Sequence, residues 1–243
     1  MIRLFGRFFD YLSYLFFSTN RHGVHSPFVY DFADNVLYKQ SDVAFEDIEY
    51  FRSQTINSSG KFNGLNLSDF TMKYTLKSKY CQLIYRMVKY YNINSYIEFG
   101  ECTGIESCYL TSYALSIQNS NFKYHYISKS PNEIRKFTYN QYLSLHNMTG
   151  HTSSEIYHSD MKLFLFHITN NPESFSLQFE ENLQNISHND LVIVTNIRYS
   201  HEHYIAWKQI TNLDKVSASI ELFDVGIAIF SEKLQKENFI LRY

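Results

Sequence analysis

The chain has 243 residues and a formal net charge of −2, from 22 Lys and Arg against 24 Asp and Glu. That balance argues against a nucleic-acid binder, which carries a basic surplus. Three cysteines without close pairing suggest neither a disulfide framework nor a zinc site, so no metal is expected and a reducing, cytoplasmic setting fits best.

The length suits one α/β domain with an N-terminal extension. Residues 1–71 read as the helical extension and connection, and residues 72–243 as the domain. Met1 to Ser18 forms an aromatic-rich amphipathic helix, with Arg3, Arg7 and Asp10 on its polar side. It lacks the clean apolar core and cleavage site of a signal peptide and the uninterrupted length of a membrane span. Two readings stand open for it. Phe5, Phe8, Phe9, Leu12 and Leu15 pack against the domain or a partner subunit, or the helix lies in a membrane interface.

Thr19 to Pro27 reads as a loop; His22 and His25 have no nearby acid or thiol to complete a metal site. Phe28 to Tyr38 is helical in pattern. Lys39 to Thr71 is a polar, partly helical connection. Met72 to Asn92 is a long helix with Leu76, Tyr80, Leu83, Ile84, Met87, Val88 and Tyr91 on one side.

The next stretch, Ser95-Tyr-Ile-Glu-Phe-Gly-Glu-Cys-Thr-Gly-Ile-Glu, reads as strand, glycine turn and helix. Gly100 and Gly104 let a ligand approach the backbone, and Thr103 with Glu106 three positions later marks a helix start. Glu98 stands at the strand end, placed to accept from a hydroxyl or amine. Strands follow at Phe122–Ser128, Glu155–His158, Leu163–Ile168 and Leu191–Thr195. Pro131 opens a helix between the first two of these. Helices are expected at Glu173–Ile186 and Ser200–Thr211. Val216–Phe223 and Gly226–Ser231 form an antiparallel pair. Alternating strands and helices give a mainly parallel sheet.

Glu98-x-Gly100-x-x-x-Gly104 resembles motif I of class I S-adenosylmethionine-dependent methyltransferases. His22-Gly-Val-His-Ser-Pro-Phe-Val29, Leu83–Tyr91, His201–Ile210 and Ile220–Phe230 resemble, in order and spacing, blocks of one bacterial subfamily. The resemblance implies a seven-stranded Rossmann-like sheet with helices on both faces and a terminal hairpin. It implies S-adenosylmethionine bound at Glu98, Gly100, Gly104, Ser128 and Asp160.

Several positions depart from that pattern. The second strand's acid falls on Ser128, followed by Lys129. Asp160 keeps the third strand's acid without its glycine. The fourth strand ends Phe166-His-Ile168, with His167 the nearest titratable group. The fifth ends Thr195-Asn196 where two acids stand in the subfamily. The resemblance therefore implies a methyltransferase-like protein with a partly degenerate cofactor site, acting on a small molecule or protein side chain. The alternative is a non-catalytic binding or assembly module. Residues 2–18 are then the place for a second copy, a partner protein or a peripheral membrane contact. A NAD-dependent oxidoreductase fits poorly, because the glycine spacing differs from Gly-x-Gly-x-x-Gly.

Overall fold

The computed structural model describes residues 2–40, 45–57, 61–62, 65–66, 68–69, 75–100, 102–116, 122–127, 161–168 and 171–243. Helix α1 (Ile2–Phe17) is followed by α2 (Pro27–Phe32), which opens on a proline at its first turn and widens into a π-helical turn over Ala33–Leu37. Helix α3 (Glu46–Ile56) and a short antiparallel hairpin, β1 (Lys61–Phe62) with β2 (Leu65–Asn66), occupy the polar connection. Helix α4 (Ser78–Tyr90) is shorter than its sequence pattern, because Leu76 is spent on a contact with the motif helix.

The sheet is built from β3 (Ser95–Phe99), β4 (Lys123–Ile127), β5 (Lys162–His167), β6 (Leu191–Thr195), β7 (Ala218–Glu221), β8 (Val225–Ile229) and β9 (Glu237–Ile240). Its order is β4-β3-β5-β6-β8-β7-β9, with β8 antiparallel to both neighbours and every other pairing parallel. Helices α5 (Ile105–Ser116), α6 (Pro172–Asn182) and α7 (His201–Asn212) fill the crossovers. The expected strand at 155–158 lies outside the described residues, and β9 is a strand that sequence patterning did not reveal.

Side chains alternate across the central strands, so each strand feeds two cores. Leu163, Leu165, Leu191, Ile193 and Tyr96 join one core with α4 and α5; Phe164, Phe166, Val192, Val194 and Phe99 join the other with α6 and α7. The rings of Phe99 and Phe166 stack at 4.4 Å between adjacent strands. Trp207 of α7 lies flat on β8 over Gly226, where a Cβ would stand 2.6 Å from the indole. At the opposite end of the sheet, buried Lys162 pairs with buried Asp190 at 3.0 Å, and Asp190 also accepts the Lys162 and Ser187 N–H groups.

Among its described side chains, from Gly6 on, helix α1 docks through one side; Phe5 lies outside them. Tyr14 is buried, donates to the Leu241 carbonyl and packs on Phe223. Arg7 pairs with Asp224, which Lys77 also holds. Phe8, Phe9 and Leu12, expected to be covered, stay 56, 65 and 44% exposed, and Phe16 and Phe17 join them. The reason is the helix's rotation: Tyr14, Ser18 and Arg7 occupy the inward side, which leaves the phenylalanine stripe outward. Leu15 is half-buried. No described helix is long and apolar enough to cross a membrane.

Candidate functional site

Strand β3 delivers Glu98 to the carboxyl end of the sheet, and Gly100 turns the chain away at φ +97°. A side chain at Gly100 is doubly forbidden, since its Cβ would stand 2.8 Å from the His167 carbonyl oxygen. The turn after β3 therefore packs directly on the end of β5. Gly104, at φ +80°, opens the way into α5.

Glu98 is fully buried, and four groups, from the glycine turn, α5, β4 and β5, converge on its carboxylate. Oε1 lies 2.9 Å from His167 Nε2, at the end of β5, and accepts from the Cys102 thiol at 3.1 Å. Oε2 lies 2.6 Å from both Ser107 Oγ of α5 and Tyr124 OH of β4. His167 Nδ1 in turn meets Thr195 Oγ1 of β6 at 3.1 Å. Parallel pairing makes this possible, because His167 and Thr195 are register partners and Glu98 stands opposite Leu165, two residues before His167.

Glu106, on the first turn of α5, is buried as well. Its Oε1 accepts the Leu76 N–H at 2.6 Å instead of closing a capping box, and its Oε2 has no hydrogen-bond partner among the described residues. Burial pushes its carboxyl above the usual range; His167 opposes that shift and the Glu98 charge adds to it. Thr103, placed as the cap from sequence, pairs with the Thr75 hydroxyl at 2.6 Å and accepts the Ile105 N–H at 3.4 Å.

No family model and no curated protein matches the chain. Solved structures do. The SAH-bound methyltransferase of Podospora anserina superposes with a TM-score of 0.57 at 10% identity, covering 86% of this chain and 100% of that one. The fold is that of a class I methyltransferase. Cofactor-bound Rv0187 from MTB gives 0.52 at 9% identity, covering 86% and 99%. A proposed caffeoyl-CoA O-methyltransferase of Staphylococcus aureus gives 0.53 at 14%, covering 81% and 96%.

On this methyltransferase fold, Glu98, Gly100 and Gly104 come together at the end of β3. Ser128, Lys129 and Asp160 lie outside the described residues. The end of β6, where acids stand in the resembled subfamily, serves here to join strand ends: Thr195 holds His167, and Asn196 Nδ2 donates to the Ile168 carbonyl at 3.1 Å. Sequence reading did not reveal Cys102, Ser107 and Tyr124 as partners of Glu98. Cys102 lies inside the motif and Ser107 three residues beyond it, but Tyr124 and His167 arrive only through strand pairing.

Proposed function

We propose that this chain is an S-adenosylmethionine-dependent methyltransferase-like protein whose cofactor site is partly degenerate, with weak or lost activity. The observation that carries the reading is the place of the Glu98–Gly104 turn. Strands β4 and β5 flank β3 on opposite sides, so the chain reverses direction across the sheet at this point, where open α/β sheets bind their ligands. The SAH-bound neighbour supports S-adenosylmethionine as the ligand class.

Two features support degeneracy. Glu98 already takes four donors from its own chain, so a ligand amine or hydroxyl must displace one of them. Ser128 replaces the ribose-binding acid, and a charge-assisted hydrogen bond of that kind contributes roughly 1.5–3 kcal/mol. Its loss weakens affinity by about ten- to a hundredfold. A lysine at position 129, if turned towards the cofactor, adds repulsion to its sulfonium that the neutral-sulfur product S-adenosylhomocysteine escapes. The acceptor in an active form is a small molecule or a protein side chain.

Calorimetric titration tests this. The expected result is S-adenosylmethionine binding that is weak or undetectable, with any residual binding favouring S-adenosylhomocysteine. Low-micromolar binding of S-adenosylmethionine replaces the degenerate reading with an active enzyme. A second reading, a non-catalytic binding or assembly module, draws on the outward phenylalanine stripe of α1. A second copy, a partner protein or a membrane interface would cover that stripe.

A further inference from the structure

Glu98 Oε1, Cys102 Sγ and His167 Nε2 lie within 4.8 Å of one another, and all three side chains are buried. Oε1 is 3.1 Å from the sulfur and 2.9 Å from the nitrogen. Oxygen, nitrogen and sulfur ligands of one zinc-sized ion sit about 2.0–2.3 Å from it, which puts them roughly 3–4 Å from each other. The two separations from Oε1 stand at the short edge of that range and the third is no more than 4.8 Å, so a small adjustment of side chains closes the three atoms around one ion.

Their supports fit the same purpose. Metal-bound imidazoles are commonly held through their second nitrogen, and Thr195 Oγ1 stands at His167 Nδ1. The Glu98 oxygen turned away from the cluster is fixed by Ser107 and Tyr124, which orients Oε1. Charge sets the valence. A carboxylate and a thiolate together neutralise a divalent cation, and a site this deeply buried tolerates little net charge. Sulfur disfavours magnesium and calcium and favours zinc and its neighbours.

We propose that Glu98, Cys102 and His167 form a mononuclear site for a thiophilic divalent cation of the zinc class. On binding, Cys102 releases its thiol proton to solvent. The hydrogen that Nε2 directs at Glu98 is lost to solvent and Nδ1 takes one up, so His167 coordinates through Nε2 as neutral imidazole with its ring hydrogen on Nδ1 facing Thr195. No electron is transferred. The ion ties the end of β3, the glycine turn and the end of β5 together, and three protein ligands leave a fourth position for water or a small donor. Glu98 belongs to this site and to the cofactor reading alike, but the two fail separately, because metal uptake is measured without any nucleoside.

The test is cobalt(II) titration of the full chain after chelator treatment, without oxygen. Expected is a single equivalent, with sulfur-to-cobalt charge-transfer absorption and tetrahedral visible bands that zinc bleaches. Cys102→Ser abolishes the charge-transfer band, while Cys81→Ser and Cys108→Ser keep it. The serine retains a hydroxyl donor for Glu98, and a preserved melting transition confirms that the variant folds. Thr195→Val, which touches no proposed ligand atom, weakens uptake by about 10- to 100-fold. Folded wild-type chain that shows no cobalt absorption overturns the proposal. So does a charge-transfer band that survives Cys102→Ser.

Discussion

His125 sits in the middle of β4 at 3% exposure, and neither ring nitrogen has a hydrogen-bond partner among the described residues. Burial lowers its affinity for a proton, and the charge of Lys123 lowers it further. The unfolded chain therefore takes up a proton more readily than the folded one. Stability from neutral His125 is complete above the ordinary value of 6.5 and is lost as pH falls below it. His125→Leu removes two buried unpaired nitrogens, so it is expected to raise stability near neutral pH by about 1 kcal/mol. It also flattens the fall of melting temperature on acidification, which thermal denaturation across that pH range measures. Gly226 has a different constraint. Its neighbour is the Trp207 indole, so Gly226→Ala forces the ring off the strand and is expected to destabilise by about 1–3 kcal/mol. Trp207→Leu, combined with it, recovers part of that loss in denaturant unfolding.

Among the elements, those whose signal is local were legible. Strand β6, Leu-Val-Ile-Val-Thr, is buried on both faces and reads as an apolar run. Strands β7 and β8 read as a pair because a short polar break separates two apolar runs, and they pair antiparallel. Strand β9 did not read as a strand. Glu237 and Asn238 are exposed at the sheet edge, and only the open flank of β7 makes a strand of them. The centre of the candidate site was half legible for the same reason. Glu98, Gly100 and Gly104 are contiguous in sequence, whereas His167 reaches Glu98 across 69 positions through β3–β5 pairing. Which part of α1 docks on the domain was not legible, because helical periodicity gives an apolar side without saying which part of it is docked. Tyr14, at 1% exposure, carries the docking, and Phe16, at 83%, carries none. Tyr14→Ala is expected to destabilise by about 3–5 kcal/mol. Phe16→Ser is expected to change stability by no more than about 0.5 kcal/mol. Equal melting shifts in the two variants would contradict that division.

At the scale of the whole molecule, the first helix and the last residues are one unit. Thr19 bridges to Leu241, and the Arg242 N–H donates to the Thr19 carbonyl. Tyr14 accepts the Tyr243 N–H, and Tyr38 donates to the Arg242 carbonyl. Tyr14 and Leu241 are 227 positions apart. A ribosome adds about 5–20 residues per second, so α1 emerges roughly 10–45 s before the segment it docks on. Throughout that interval both its docking side and its phenylalanine stripe are bare. Nascent α1 is thus a prolonged target for chaperones that hold aromatic segments, until the segment around Leu241 has been made and can cover its docking side.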